Sequence, residues 1–432
     1  MNFAAFIFTA VAATFLFRLP RRLASLPLLV GTTYMTLGQV VEIGPFHFTV
    51  IRILVALGVC RVFVRQERIS GGLKPLDKAM IGWATWGVLC SFLHQDVLST
   101  LVNRLGLVYD GLGLYFLLRV FIEGVDGVRL TAKIVLLLLA PVALEMVYEH
   151  FTGRDNFAIF GGVAEFCEVR GGKVRANGPF AHSILAGTVG AVCLPLAFLF
   201  WKEQRKLCLL GMAATGAIVA TSSSSGPILT TMFVMLGLAA WKIRNRMRMV
   251  RWGALLLAIV LNEVMEAPVY YLLARIDLTG SSTGWHRAEL IHAAITHLNE
   301  WWLAGTDYTR HWIAYGVAWS ENHADITNHY IKMGVLGGMP LMLLFIYVLV
   351  VAFRTVGVVL RGSAGESFER RFMIWTLGAI LFGHAATWMS ISYFDQTVVF
   401  LYMVLAAIGS LTITPRPVVE VEATAPIKEQ AA

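Results

Sequence analysis

Long apolar runs separated by short polar connections are the dominant pattern of this chain. The runs are about as long as a bilayer is thick, roughly 20 residues. They are continuous rather than alternating, and a backbone in lipid must satisfy its own hydrogen bonds, so helices are favoured over a β-barrel. We therefore predict an all-α fold, a polytopic integral membrane protein with about 12–13 transmembrane helices. The predicted spans lie near residues 2–17, 24–44, 47–64, 79–95, 100–118, 130–148, 180–200, 207–223, 227–241, 251–270, 327–352, 372–393 and 396–413.

The charges that flank these runs predict an orientation. The first run has no basic leader and is followed by Arg18, Arg21 and Arg22, the reverse of a secretory signal, so we keep it as a span with its N-terminus outside. The basic clusters then fall on alternate connections, as the positive-inside rule requires of a single orientation. These clusters are RLPRR, RQERISGGLKPLDK, WKEQRK, WKIRNRMRMVR and RGSAGESFERR. The polar, aperiodic tail 414–432 is predicted to be disordered in the cytoplasm.

Two connections are too long for simple turns, and both fall outside on this topology. They are the outer loop 149–179 and the large outer loop 271–326, which separate the N-terminal helices 1–148, the central helices 180–270 and the C-terminal helices 327–413. In the larger loop, apolar residues recur at helical spacing from Trp285 onward, which predicts an amphipathic helix of about four turns over the membrane domain. We expect Gly305 to terminate this helix.

The composition excludes a soluble fold. Hydrophobic residues make up 57% of the chain and charged residues 14%, whereas soluble domains carry about 25% charged residues. The net charge of +8 is explained by loops that stay in the cytoplasm, and no nucleic-acid-binding motif accompanies it. The five cysteines show neither a disulfide framework nor metal-ligand spacing.

Both outer loops carry basic residues on the side that the positive-inside rule disfavours. They are Arg154, Arg170, Lys173, Arg175, Arg275, Arg287 and Arg310. Long loops are exempt from the charge bias, which permits these residues without explaining them. Because a guanidinium fork matches phosphate oxygens, we expect some of them to bind an anion on the outer face. Arg287, near the start of the predicted helix, would point with the first-turn amides at one anionic group.

Six of the eleven histidines lie between His286 and His329. His286, His292 and His297 are spaced by six and five residues, unlike the shorter spacings of zinc pairs on a helix, so no metal site is expected. His323, Asp325 and His329 form a tighter set that suits acid–base chemistry, because histidine titrates near neutral pH. Each histidine could equally be a loop residue with satisfied hydrogen bonds.

Two further polar features have a structural and a functional interpretation. Ser224 and Ser225 lie in the segment TSSSSGP at an outer turn, where hydroxyls could cap the next helix or face an outer cavity. Arg52 and Asp110 lie within predicted spans, where charges are costly and are usually paired or functional. The sequence leaves open whether these two residues pair with each other.

Three segments, in order and at the expected topology, resemble motifs of one family. They are KVRANGPFAHSILAG, which opens a span; the serine-rich turn TSSSSGPILT; and the stretch from GWHRAELI through WWLAGTDY to NHYIKMGVLGG, which enters a later span. The matching residues are Arg175, Gly178, Pro179, Phe180, Arg287, Gly305, Asn328, Tyr330, Gly334 and Gly337. Together they resemble the O-antigen ligase and O-antigen or exopolysaccharide polymerase superfamily of bacterial envelopes.

The resemblance implies a metal-independent glycosyltransferase at the periplasmic face of the bacterial cell inner membrane. Its donor would be a polyprenyl-diphosphate-linked oligosaccharide and its acceptor another glycan or a lipid A core, in contact with membrane lipid and other polysaccharide-export proteins. No cofactor, metal or nucleic acid is expected. The residues implied are Arg175, Arg287 and Arg310 for the diphosphate, His323, His329 and Asp325 for catalysis, and Asn328, Tyr330, Ser224, Ser225 and Arg52 for other substrate contacts.

The chain also departs from the family pattern. The serine turn lacks the arginine that family members commonly carry there, and Thr327 stands where many members have histidine. The identity of the base therefore stays open, and the departures favour a polymerase of the exopolysaccharide type over a ligase that uses lipid A core. A secondary transporter is the second alternative, but we find no internal repeat, and the polar residues cluster in outer loops rather than at mid-membrane.

Overall fold

The computed structural model describes residues 1–275, 284–313, 318 and 320–411. Helices dominate these residues and strands are confined to two short hairpins, in agreement with the predicted all-α class. Five helical segments are long and apolar enough to cross a membrane: Val97–Phe121, Gly124–Thr152, Ser183–Phe200, Ser225–Val264 and His329–Gly362. The predicted disorder of 414–432 concerns residues outside this description.

The described α-helices are α1 (Phe3–Arg18), α2 (Ser25–Tyr34), α3 (Val50–Val64), α4 (Pro75–Leu89), α5 (Val97–Phe121), α6 (Gly124–Thr152), α7 (Ser183–Ala197), α8 (Arg205–Thr221), α9 (Ser225–Ala239), α10 (Met247–Val264), α11 (Gly284–Thr296), α12 (Leu298–Trp301), α13 (His329–Gly362), α14 (Phe368–Thr387) and α15 (Thr397–Ser410). Short 3₁₀ helices occupy Arg21–Leu23, Cys90–Leu93, Asn156–Phe160, Phe198–Phe200, Ala240–Arg246, Val269–Arg275 and Arg310–Ile313. The antiparallel hairpins pair β1 (Val40–Ile43) with β2 (Phe46–Thr49), and β3 (Glu168–Arg170) with β4 (Lys173–Arg175).

Each predicted span overlaps a helix, but two boundaries were wrong. The predicted span 24–44 contains only the short helix α2, because the chain then forms the β1–β2 hairpin, which turns at Gly44 with a positive φ of 59°. The predicted helix from Trp285 is α11, with the expected length, but it ends at Thr296 rather than at Gly305. How many helices cross a membrane remains a prediction.

The contacts sort the connections between helices onto two ends of the bundle. At one end, Asn2 Nδ2 donates to the carbonyl of Ile159 at 2.9 Å, so the N-terminus meets the connection 149–179. At the other end, Arg21 donates to the carbonyl of Arg68 at 2.7 Å. Lys202 Nζ likewise lies 2.8 Å from Glu369 Oε1. Four of the basic clusters predicted for the cytoplasm therefore meet in two pairs.

The centre of the bundle is α15, whose residues are buried along its whole length. It contacts α5, α7, α13 and α14. By contrast, α10 has no buried residue. The bundle therefore holds α13, the helix that follows the large outer loop, whereas α10 lies at the margin of the bundle.

A break in α13 attaches the large outer loop to the bundle. Gly338 has φ +76°, and the freed carbonyl of Val335 accepts the backbone N–H of Thr306 at 3.0 Å. The backbone N–H of Met339 donates to the carbonyl of Trp302 at 2.8 Å. Gly305 has φ +93°, and a Cβ there would collide with the Val335 carbonyl. Gly305 therefore serves this close approach, and its backbone N–H also donates to the carbonyl of Trp301, the last residue of α12, at 3.1 Å.

Candidate functional site

Arg175 is held by two side-chain hydrogen bonds. It ends β4 and is 4% exposed. Its Nη1 donates to Glu168 Oε2 at 2.6 Å, and its Nη2 donates to Ser224 Oγ at 2.7 Å. Its Nε is buried and has no hydrogen-bond partner among the described residues. Two protein oxygens therefore hold the guanidinium, and its buried Nε–H takes part in neither bond.

The turn after Arg175 is fixed by a buried carboxylate that the sequence interpretation did not single out. Glu149, near the end of α6, accepts the backbone N–H groups of Asn177 at 2.8 Å and of Gly178 at 2.9 Å. The backbone N–H of Ala176 donates to the carbonyl of Thr221 at 3.1 Å. The signal for Glu149 was available, because it is an acidic residue close to the end of an apolar span.

Ser224 precedes α9 but does not cap it with its side chain. Its hydroxyl accepts from Arg175 and donates to the carbonyl of Ser222 at 2.9 Å. The interpretation of Ser224 as a capping hydroxyl was therefore wrong, because its oxygen is already engaged by the guanidinium. Ser225 is the first residue of α9.

Arg287 lies in the first turn of α11, as predicted. Its Nε is buried and has no hydrogen-bond partner in the described parts of the chain. Burial lowers the pKa of Arg287, the charge of Arg170 lowers it further, and Asp325 opposes both effects. Arg170 and Asp325 are thus both close enough to act on Arg287.

Arg170 connects the two outer loops electrostatically. Burial lowers the pKa of Arg175, Glu168 opposes this effect, and Arg170 again contributes to lowering it. The pKa of His182 is lowered by burial first, and then by Arg175 and Arg170. The charge of Arg170 therefore acts on both Arg175 and Arg287, whereas the sequence interpretation assigned Arg175, Arg287 and Arg310 to the diphosphate and did not include Arg170.

The two loop candidates for the base lie in different surroundings. Burial raises the pKa of Asp325, and His286, Lys332 and Arg287 oppose it. Asp325 is half-buried, and its backbone carbonyl is 3.2 Å from His286 Nε2. Asp325 is therefore the candidate that lies close to Arg287.

His323 has other neighbours. Burial lowers the pKa of His323, Asp307 opposes this effect, and Arg104 adds to it. Asp307 accepts a hydrogen bond from the ring of His94 at 2.9 Å, which places this group next to the turn between α4 and α5. The structure thus associates His323 with α5 rather than with Arg287.

His329 is enclosed at the start of α13. It is 5% exposed, and its ring stacks on Trp388 with 5.3 Å between the ring centroids. Its Nδ1 accepts the backbone N–H of Tyr393 at 3.2 Å. This placement gives His329 a packing role at the start of α13.

Asn328 and Tyr330 also make structural contacts. Asn328 caps α13, because its Oδ1 accepts the backbone N–H groups of Tyr330 at 3.0 Å and of Ile331 at 3.1 Å. Its Nδ2 donates to the carbonyl of Met389 at 3.0 Å. The hydroxyl of Tyr330 donates to the carbonyl of Ala385 at 2.8 Å. These two residues therefore fix the start of α13, the helix that follows the large outer loop.

Arg310 and Arg52 are positioned by protein groups. Arg310 Nη1 donates to the carbonyl of Ile313 in its own turn at 2.9 Å. Arg52 lies in the first turn of α3, and its Nε and Nη2 donate to the two carboxylate oxygens of Asp110 at 2.9 and 2.7 Å. The open question about Arg52 and Asp110 is therefore answered, because they form a two-pronged ion pair.

Two groups of side chains within the described residues bring metal-ligand atoms within 4.8 Å of one another. In the first group, Glu145, Glu149 and Asp155 already accept backbone N–H groups of the loop that follows α6. These acids therefore have a structural role. The second group is His297, Glu300 and His311, of which the sequence interpretation weighed only His297.

The chain was also compared with known proteins. No family model matches it, and no curated protein matches it.

Proposed function

We propose that this protein is a metal-independent membrane glycosyltransferase that polymerises exopolysaccharide or O-antigen repeat units from a polyprenyl-diphosphate-linked donor. One observation carries the proposal: the buried guanidinium of Arg175 donates to Ser224 Oγ at 2.7 Å, which brings an arginine of the first outer loop onto the turn before α9. In the large outer loop, Arg287 acts electrostatically on Asp325, a half-buried carboxylate. Buried arginines of two outer loops, one of them close to a potential base, suit a reaction with an anionic leaving group.

The unpartnered donors support a phosphate ligand in particular. Buried N–H groups without a partner are costly, by about 1–3 kcal/mol each, unless a ligand satisfies them. The Nε atoms of Arg175 and Arg287 are both of this kind. Guanidinium groups form strong, directional hydrogen bonds with phosphate oxygens. A diphosphate could accept from both residues at once.

In the proposed transfer step, the bond that forms is matched by a bond that breaks, and no cofactor is needed. The acceptor hydroxyl oxygen attacks the anomeric carbon of the donor glycan, and Asp325 takes the hydroxyl proton. The bond from the anomeric carbon to the diphosphate oxygen breaks, and its electron pair leaves with that oxygen. The arginines stabilise the negative charge as it develops. The products are a new glycosidic bond and a free polyprenyl diphosphate.

The two ends of the bundle support an orientation. The basic connections that meet through Arg21 and Lys202 would lie in the cytoplasm under the positive-inside rule. The end that holds Arg175 and Arg287 would then face the periplasm, across the bacterial inner membrane. A lipid-linked donor is suited to this arrangement, because its diphosphate lies at the headgroup level and its tail among apolar helices.

The test uses the full chain in nanodiscs with a polyprenyl-diphosphate-linked oligosaccharide, and mass spectrometry follows the products. We expect a ladder of repeat units together with released polyprenyl diphosphate. Arg287→Ala should lower the rate by about 10²- to 10³-fold, the usual effect of removing one group that stabilises an oxyanion. The matched control is Arg275→Ala, because Arg275 is an exposed arginine of the same loop.

Three other outcomes would change the assignment. Transfer only when lipid A core is added would make the protein a ligase. Full activity of Arg287→Ala would overturn the proposed site. Absence of turnover with either acceptor, in protein that is folded by circular dichroism and gel filtration, would overturn the transferase proposal.

A further inference from the structure

A second group of polar side chains lies in the large outer loop, separate from the arginines. His297 immediately precedes α12, Glu300 lies within α12, and His311 belongs to the 3₁₀ helix Arg310–Ile313. Glu300 Oε1 is 2.7 Å from His297 Nδ1, and Glu300 Oε2 is 3.0 Å from His311 Nε2. The two imidazoles thus point their ring nitrogens at one carboxylate.

Neighbouring aromatic rings hold both imidazoles in this orientation. His297 stacks on Trp312 at 5.9 Å with an angle of 8° between the ring planes. His311 stacks on Tyr308 at 5.1 Å with an angle of 10°. The indole Nε1 of Trp312 donates to Glu300 Oε2 at 3.0 Å. Such outer contacts orient ligands in metal sites, so the three groups are arranged in advance.

We propose that His297, Glu300 and His311 bind a Zn²⁺ ion. Zinc bonds of about 2.0–2.1 Å in a tetrahedron place neighbouring ligand atoms roughly 3.3 Å apart. The ligand atoms of all three residues lie within 4.8 Å of one another, and the hydrogen-bonded distances of 2.7 to 3.1 Å need only a small expansion. Two histidines and one glutamate leave a fourth position for water, and this set of donors suits zinc.

The ion would connect two parts of the outer loop. The segment between Glu300 and His311 contains Gly305 and the backbone that enters the break in α13. The segment before His297 is α11, which carries Arg287. A zinc ion would therefore fix the loop that presents Arg287, while taking no part in the transfer step itself.

The test measures metal binding directly. Full-length protein, with its affinity tag removed and its metal stripped by a chelator, is titrated in detergent with Co²⁺ and then with Zn²⁺. We expect one saturable Co²⁺ site with the visible absorption of a tetrahedral ion, and displacement of cobalt by one equivalent of Zn²⁺. X-ray absorption of the zinc form should show nitrogen and oxygen ligands without sulfur.

Variants distinguish a built site from scattered histidines. His297→Ala, His311→Ala and Glu300→Gln should each weaken zinc affinity by about 100-fold or more, since outer contacts alone are worth 10- to 100-fold. The matched control is His292→Ala, because His292 is an exposed residue of α11 whose ring contacts Tyr270 instead. Circular dichroism and gel filtration confirm that each variant is folded.

Two results would overturn the proposal. One is the absence of a saturable site of unit stoichiometry in the wild type. The other is unchanged zinc affinity in the variant that combines His297→Ala with His311→Ala. Neither readout depends on glycan transfer, so the zinc site and the transferase proposal can fail separately.

Discussion

Arg175 Nη2 donates a hydrogen bond of 2.7 Å to Ser224 Oγ, and this contact joins the first outer loop to the turn between α8 and α9. Ser224 is 5% exposed, so the bond is shielded from water. The hydroxyl also donates to the carbonyl of Ser222, which fixes the direction of its lone pairs. Ser224 is thus a positioning residue that holds the guanidinium towards the site.

Ser224→Ala should slow transfer by roughly tenfold and leave the fold intact. The reason is that the guanidinium loses a buried acceptor, which typically costs about 1–3 kcal/mol. The measurement is the rate of donor consumption in nanodiscs, with a larger effect on the donor KM than on kcat. Thr231→Ala removes a hydroxyl from α9 that bonds only within its helix, and it should behave as wild type. Equal effects of both variants would argue against a positioning role.

Asp325→Asn should lower kcat by about 10²- to 10⁴-fold, the usual contribution of a general base. His323→Ala should retain near wild-type kcat, because His323 is associated with Asp307 and Arg104 instead. Single-turnover mass spectrometry with saturating donor and acceptor separates this chemical step from binding. The reverse ranking of the two variants would assign the base to His323.

The transfer rate should depend on pH through Asp325. Its base form is the deprotonated carboxylate, so activity is lost as the pH falls through its pKa. Burial raises that pKa, so the acid limb should lie above the ordinary aspartate range. His286 opposes the rise, so His286→Ala should move the limb to higher pH. A kcat profile that is flat down to the ordinary aspartate range would contradict this role.

The apolar periodicity predicted correctly that Arg287 lies at the start of a helix. It could not predict that Arg175 is hydrogen-bonded to Ser224. The helical spacing of apolar residues after Trp285 is local, and it placed Arg287 in the first turn of α11. Arg175 and Ser224 are separated by 49 positions and meet only when the first outer loop packs on the turn before α9. The segments in which we noted a resemblance contain both residues, but the sequence does not specify a bond between them.

Tertiary packing also explains why the sequence interpretation missed the group of His297, Glu300 and His311. His297 and Glu300 are three residues apart, a spacing visible in the sequence, but His311 joins them only because the chain reverses after α12. The span 24–44 was overextended because apolar residues continue into β1, where the hairpin turn decides the structure. Local hydrophobicity predicts that a segment is buried, whereas tertiary packing decides how it ends.

The Arg52–Asp110 pair should contribute to stability rather than to transfer. The two side chains are 26% and 31% exposed, and the bond has two prongs. Asp110→Asn should lower the free energy of unfolding by about 1.5–3 kcal/mol, the usual range for charged hydrogen bonds. Thermal unfolding in detergent measures the change, and nanodisc assays should show an unchanged donor KM.

A surface ion pair provides the control for Asp110→Asn. Arg129 lies 2.5 Å from Glu203, but the two side chains are 31% and 52% exposed. Arg129→Ala should cost only about 0–1 kcal/mol, because solvent screens an exposed pair. A raised donor KM in Asp110→Asn, with unchanged stability, would return Arg52 to the substrate site.

Asp155 should make the protein less stable as the pH rises. This carboxyl is 3% exposed, and burial raises its pKa to about 7, against hydrogen bonds from Phe157 and Asn177 that lower it. The folded state therefore binds the proton more tightly than the unfolded state, whose aspartate has a pKa of about 3.9. The contribution to stability is fully present below the unfolded pKa and is lost as the pH rises through about 7.

Asp155→Asn tests this linkage, because an amide cannot ionise. The variant keeps an oxygen that can accept the backbone N–H of Phe157, which Asp155 Oδ1 accepts at 2.8 Å. Thermal unfolding is measured in detergent from about pH 5 to about pH 8, the window in which the proton is lost. The melting temperature of the wild type should fall relative to that of the variant as the pH rises. A constant difference between the two proteins would mean that Asp155 titrates at its ordinary value, with burial offset by the hydrogen bonds that fix the loop after α6.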